Sequence, residues 1–225
     1  MKRITVTLVT VAVLSISAHG QGFGNLDFES ACNLPQNPPV PGGAKVSVTN
    51  ALPGWTAYAA GGVISEVYYV SNDFSGVSSY VELEGGSLAL SGDFSVALFQ
   101  NSSISQTGLV PAEAESLEFE AQGPGPGNTL GPSGLTVSLG GQSLSISQIS
   151  QGPDYIVYGA NIPVGMDGQA EALAFACQGP GSGDVLLDNI EFSTPEPPEW
   201  AMIGVGVVLF GVFRLRARLR RGMGA

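Results

Sequence analysis

Leu117-Glu118-Phe119-Glu120-Ala121 alternates apolar and acidic residues with a period of two. Successive side chains of a β-strand point to opposite faces, so this stretch reads as a strand with one face in a core and one toward water. Leu135, Val137 and Leu139 repeat the pattern. Gly140-Gly141 then supplies a turn signal, and Leu144 and Ile146 resume on a return strand, which predicts a hairpin. Outward from there, further strand-like runs cover Val63 to Val70, Tyr80 to Leu83, Asp93 to Phe99, Asp154 to Ala160, Glu171 to Cys177 and Val185 to Phe192. Helix signals are almost absent, because Gly, Ser and Pro interrupt every segment. Asn33 to Gly43 and Gln122 to Gly134 are rich in turn formers and read as loops. Many short strands without helical partners predict an all-β fold, a single antiparallel β-sandwich over residues 21–193.

The flanks have a different composition. Lys2 and Arg3 precede an apolar stretch from Ile4 to Ile16, followed by small residues at Ser17, Ala18 and Gly20. That order predicts a secretory signal peptide over residues 1–20. His19, the single histidine, lies inside it. The exported part would lack histidine, which excludes histidine-based triads, proton shuttles and zinc sites.

Charge is just as unevenly spread. Of the eight basic residues, two lie in the leader and five in the tail, which leaves Lys45; all 19 acidic residues lie between Asp27 and Glu199, giving 1 − 19 = −18 for that region. Such a body repels phosphates, which argues against nucleic acid as a partner. It suits solubility outside the cell, and the rival reading is attraction of divalent cations.

The tail, residues 194–225, has three parts in fixed order. Pro195-Glu196-Pro197 is followed by an apolar run from Trp200 to Phe213 and then by Arg214, Arg216, Arg218, Arg220 and Arg221. A helix over those 14 residues would rise roughly 21 Å, short against a hydrocarbon core of about 30 Å. Arginine stems that snorkel and an interfacial Trp200 extend its reach, so the run predicts a short transmembrane helix. Positive charge stays cytoplasmic, which puts the body outside. The order resembles the PEP-CTERM sorting signal of Gram-negative bacteria, which an exosortase handles in the cytoplasmic membrane. That resemblance implies the secretion machinery, an exosortase and the membrane as partners. It also implies processing near Pro195-Glu196-Pro197 and delivery to the cell surface or the extracellular space.

A second resemblance runs through the body. Asn25-Leu26-Asp27-Phe28-Glu29, Leu52-Pro53-Gly54-Trp55, Ile104-Ser105-Gln106-Thr107, Leu117 to Ala121 and Leu186-Leu187-Asp188-Asn189-Ile190-Glu191-Phe192 are similar to galactose-binding-like jelly rolls, the fold of many carbohydrate-binding modules. It implies a jelly-roll sandwich, a buried Trp55 and a structural calcium joining first and last strands, with Asp27, Glu29 and Asp188 as ligands. The alternative for Glu29 and Asp188 is hydrogen bonding to backbone amides at strand ends.

Other candidate groups have bland alternatives. Cys32 and Cys177 both fall in the exported part, where an oxidising compartment permits one disulfide. Cys177 is also in phase with Leu173 and Phe175, as a buried thiol would be. Tyr58, Tyr68, Tyr69, Tyr80, Tyr155 and Tyr158 offer faces for sugar stacking or for packing, and parity sends Tyr68 and Tyr69 to opposite faces. Glu82 with Glu84, and Glu118 with Glu120, share faces as a glycosidase pair would, but are expected on the solvated side. Thr49, Thr56, Thr107, Thr129 and Thr136 occur singly, unlike a regular ice-binding array. The sequence thus predicts a non-catalytic exported protein in a structural or interaction role. A secreted module for extracellular polysaccharide is the rival, and a polysaccharide-acting enzyme comes third.

Overall fold

The structure, a computed structural model, describes residues 22–36, 43–70, 79–123, 134–178 and 184–194. The predicted leader, the sorting motif Pro195-Glu196-Pro197, the apolar run from Trp200 and the five arginines lie outside the described residues. Among the described residues, no helix is long and apolar enough to cross a membrane.

The chain forms β1 (Ala44–Ser47), a single helical turn α1 (Val48–Ala51), β2 (Thr56–Ala59), β3 (Gly62–Ile64), β4 (Glu66–Tyr69), β5 (Val81–Gly85), β6 (Phe94–Leu98) and β7 (Ser102–Leu109). It continues through β8 (Ser116–Gln122), β9 (Leu135–Leu139), β10 (Gln142–Leu144), β11 (Ser147–Gln151), β12 (Ile156–Asn161), β13 (Ala170–Cys177) and β14 (Val185–Ser193). These strands make two sheets, an eight-stranded one ordered β1-β4-β5-β6-β14-β8-β12-β11 and a six-stranded one ordered β10-β9-β13-β7-β2-β3. The predicted all-β sandwich is present. It is antiparallel throughout its strand pairs except for one parallel seam, β4 against β5.

Alternation builds the core. Leu117, Phe119 and Ala121 of β8 are buried while Glu118 and Glu120 face outward, as the quoted stretch predicts. Phe119 meets Phe175 of β13 edge-on at 5.2 Å, which joins the two sheets, and Phe175 in turn lies 6.4 Å from Trp55. Trp55 contacts the fully buried Phe28 at 5.7 Å. The predicted hairpin forms at β9–β10: Leu139 pairs with Gln142, and Gly140 and Gly141 both take positive φ (57° and 77°), which a two-residue turn of this hand requires.

Several predicted elements differ. The run from Val63 to Val70 is two strands in two sheets: the chain changes sheet at the exposed Ser65, whose carbonyl accepts a hydrogen bond from Val48 N at 2.9 Å. Ile146 does not continue the hairpin, because β10 ends at Leu144 and the chain crosses to the other sheet for β11. β1, β2, β7 and β11 fall outside the predicted strand runs, being short or rich in hydroxyl and amide residues.

The outer faces differ sharply in charge. On the six-stranded sheet the outward positions include Thr56, Ser103, Ser105, Thr107, Thr136, Ser138, Ala172, Ala174 and Ala176, and none of its outward strand positions is charged. On the eight-stranded sheet they include Glu66, Glu82, Glu84, Glu118, Glu120 and Asp188.

Candidate functional site

The acidic side chains of the eight-stranded sheet form a row because register aligns them. Glu84 of β5 pairs with Ser95 of β6, and Asp188 of β14 pairs with Glu120 of β8. Ser95 Oγ donates to Asp188 Oδ2 at 2.8 Å and closes the gap between those two pairs. The segment after β5 folds over this row: Leu90 N donates to Ser95 Oγ at 2.7 Å and Ser91 N to Asp188 Oδ2 at 3.1 Å. Asp188 Oδ1 accepts Asn189 N at 2.8 Å. Burial pushes the Asp188 carboxyl up to about 6 despite these three bonds.

Glu82 and Glu84 correct the sequence reading. They lie on the outward face, as parity requires, yet they are buried rather than solvated, at 0% and 4% exposure. Tyr80, stacked on Phe99 at 3.7 Å, is buried beside them. Burial, then the charges of Glu82 and Asp184, pushes the Glu84 carboxyl up to about 8. Tyr80 is raised for the same reason, first by burial and then by Glu82, Asp184 and Glu84. The sequence signal that hid this was the alternation itself, which marks a face as polar but does not say what covers it.

A cleft of about 650 Å³ opens at the far end of the row, where Asp27, Glu118, Glu120, Asn189 and Glu191 line it with Phe23 and Leu26. A bulge in β14 between Asp188 and Glu191 shapes its floor, with Asn189 at φ 43°. Glu120 is half-buried with Oε2 unpartnered, and its charge is the first cause that pushes the Tyr155 phenol up.

The calcium candidates do not converge. Glu29 Oε1 accepts the amides of Asp93 and Phe94 at 2.7 and 3.0 Å, and Asp27 Oδ1 accepts Glu29 N at 3.3 Å. Asp188 is occupied as described, so Glu29 and Asp188 do what the alternative reading proposed. Among the described residues, no three His, Cys, Asp or Glu side chains form a group able to hold a metal ion. Ile190 N donates to Leu26 O at 3.0 Å, joining the first described segment to the last strand.

The cysteines remain thiols. Cys32 is exposed beside α1, while Cys177 ends β13 inside the core, so no disulfide joins them. Tyr68 and Tyr69 take opposite faces: Tyr68 lies under Lys45 Nζ at 5.4 Å, and Tyr69 packs on Phe94 at the core's edge. Tyr80 and Tyr158 are buried and the other four are half-buried. Thr56, Thr107 and Thr136 share the uncharged face but pair with Ser105, Ala172 and Ala176, in three different rows, and make no regular array. On that face Tyr58, Asn101, Ser103 and Gln178 line a shallow groove of about 400 Å³.

No family model matches this chain, and no curated protein matches it either.

Proposed function

We propose that this is an exported cell-surface or extracellular protein, sorted through a PEP-CTERM-type tail, whose jelly-roll-type body has a non-catalytic, structural or interaction role. The observation that carries the reading is the order Pro195-Glu196-Pro197, apolar run, five arginines at one end of a chain whose acidic middle holds a single lysine. That segregation matches a membrane-retained handle on a body kept soluble by its own negative charge. The non-catalytic part of the reading rests on composition, since the region between the leader and the tail lacks histidine.

Intact mass of the protein recovered from cells, from medium and from a strain lacking exosortase tests this directly. The medium form is expected to have lost both the leader and Arg214 to Arg221. A secreted form that keeps those arginines ends the sorting account.

The rival is a carbohydrate-binding module, favoured by the groove in which one tyrosine stands among neutral hydrogen-bonding side chains. Saturable binding to a defined glycan, abolished by Tyr58→Ala, would move the assignment to that class.

A further inference from the structure

The buried end of the acidic row has a consequence for the weakest seam of its sheet. Glu82 and Glu84 share the outward face of β5, and Tyr80, just before β5, and Asp184, just before β14, act on them electrostatically. Glu84 is 4% and Tyr80 5% exposed, and neither Glu84 Oε2 nor Tyr80 Oη has a hydrogen-bond partner. Titratable groups on the same outward sheet face are Glu66 and Tyr68 of β4, Lys45 of β1, Asp188 of β14 and Glu120 of β8, with Asp184 just before β14; β6 contributes the uncharged Ser95 and Ala97. Lys45 is the one cation among the described residues, and it sits over Tyr68, two strands from β5. A buried carboxyl among like charges, with no cation against it, is stable only while it holds its proton.

The adjoining seam is short. β4 meets β5 through two residue pairs, Tyr68 with Glu82 and Tyr69 with Leu83, extended by Val70 N donating to Leu83 O at 3.2 Å. Within the sheet, β1 and β4 are attached through this seam alone.

We propose that Glu84 is a proton-held latch: with its carboxyl protonated β4 stays closed on β5, and release of that proton to solvent leaves a buried charge that water reaches only when the seam opens. The direction follows from linkage. Burial and the neighbouring carboxylates raise Glu84 from 4.5 in the open chain to about 8 in the closed one. The closed state therefore binds the extra proton; its advantage is fully present below 4.5 and is lost as pH rises through about 8.

Hydrogen exchange on the full chain tests the latch. After correction for intrinsic exchange chemistry, opening at the Val70 amide is expected to rise by up to about tenfold per pH unit between pH 5 and 8 and to level off above. Glu84→Gln keeps the shape and removes that titration, so most of the rise across that range should disappear. Asp184→Asn keeps the titration but removes a repelling charge, so its plateau should begin at lower pH, and it still reads the latch should the first variant fail to fold. A wild-type profile without a rise, or the same rise in Glu84→Gln, overturns the proposal. So does suppression of the rise by millimolar calcium, which would make the cluster a cation site.

Discussion

Ser95 Oγ donates to Asp188 Oδ2 across the β6–β14 pair at 2.8 Å, with both side chains buried and the same oxygen also bonded by Ser91 N. This contact ties the segment after β5 to the last strand. Ser95→Ala leaves the Leu90 amide without its acceptor and the carboxylate with one donor fewer. It is expected to cost about 1–3 kcal/mol in urea unfolding. The Asp188 carboxyl, which the hydroxyl holds down, should then rise further above its value of about 6. A carboxyl NMR titration that gives the same midpoint in variant and wild type would exclude that role.

Asp188 also sets a pH dependence of its own. Its carboxyl is raised from 3.8 to about 6 on folding, mainly by burial. The folded state therefore binds more protons in that interval. The stabilisation is complete below 3.8 and is lost as pH rises through about 6. Unfolding free energy is expected to fall with pH across this window, and Asp188→Asn should remove that part of the slope. An unchanged slope in the variant would assign it to other carboxyls.

Trp55 is a core residue with one polar obligation: Nε1 donates to Asn25 O at 2.9 Å. Trp55→Phe keeps most of the ring contacts with Phe28 and Phe175 and loses this bond, at an expected cost of about 1 kcal/mol. Trp55→Ala empties the site and should cost about 3–5 kcal/mol. Denaturant titration distinguishes the two; equal losses would mean that the hydrogen bond, not packing, dominates.

The first described residues lie close over β7. A Cβ at Gly108 would stand 2.7 Å from Phe23 N, so Gly108→Ala must displace that segment. It should also disturb the Phe23–Phe192 stack at 5.1 Å and the Gly22–Leu109 bridge. Chymotryptic cleavage at Phe23 is expected to accelerate several-fold under native conditions, with a stability loss of about 1–3 kcal/mol. Equal cleavage rates would show that the segment is not held there.

The cysteines give a simple chemical count. One thiol, Cys32, should react with a maleimide in the native, non-reduced protein, and Cys177 only after unfolding. Two unreactive thiols in the denatured protein would restore the disulfide.

Strands with strict alternation could be read from residues 117–121 and 135–139, because one buried face leaves a period of two in the sequence. β7 and β13 pair over eight residues, yet only β13 was legible: Leu173, Phe175 and Cys177 mark its buried face, whereas on β7 Ile104 stands alone among the polar or small Ser102, Gln106 and Gly108. Gln106 is held by bonds to a segment distant in sequence, its side-chain Oε1 accepting from Gly24 N at 2.7 Å and its Nε2 donating to Gly24 O at 2.9 Å. The sheet change at Ser65 has no periodic signature, as apolar residues continue on both sides. The turn at Asn25 through Phe28 was visible as a motif, but not the bonds in which Asn25 Nδ2 donates to Pro53 O and Asn25 Oδ1 accepts from Ser30 N. Glu84 was placed on the correct face and in the wrong medium, because parity fixes direction while burial depends on segments distant in sequence.

The uncharged outer face of the six-stranded sheet has an electrical consequence. With outward strand-borne acids confined to one sheet, the two strand faces of this polyanion differ in charge. Near an anionic surface such an object feels a torque in addition to a repulsion. It turns its Ser, Thr and Ala face toward that surface and its carboxylates away, within about a Debye length of roughly 8 Å at physiological salt.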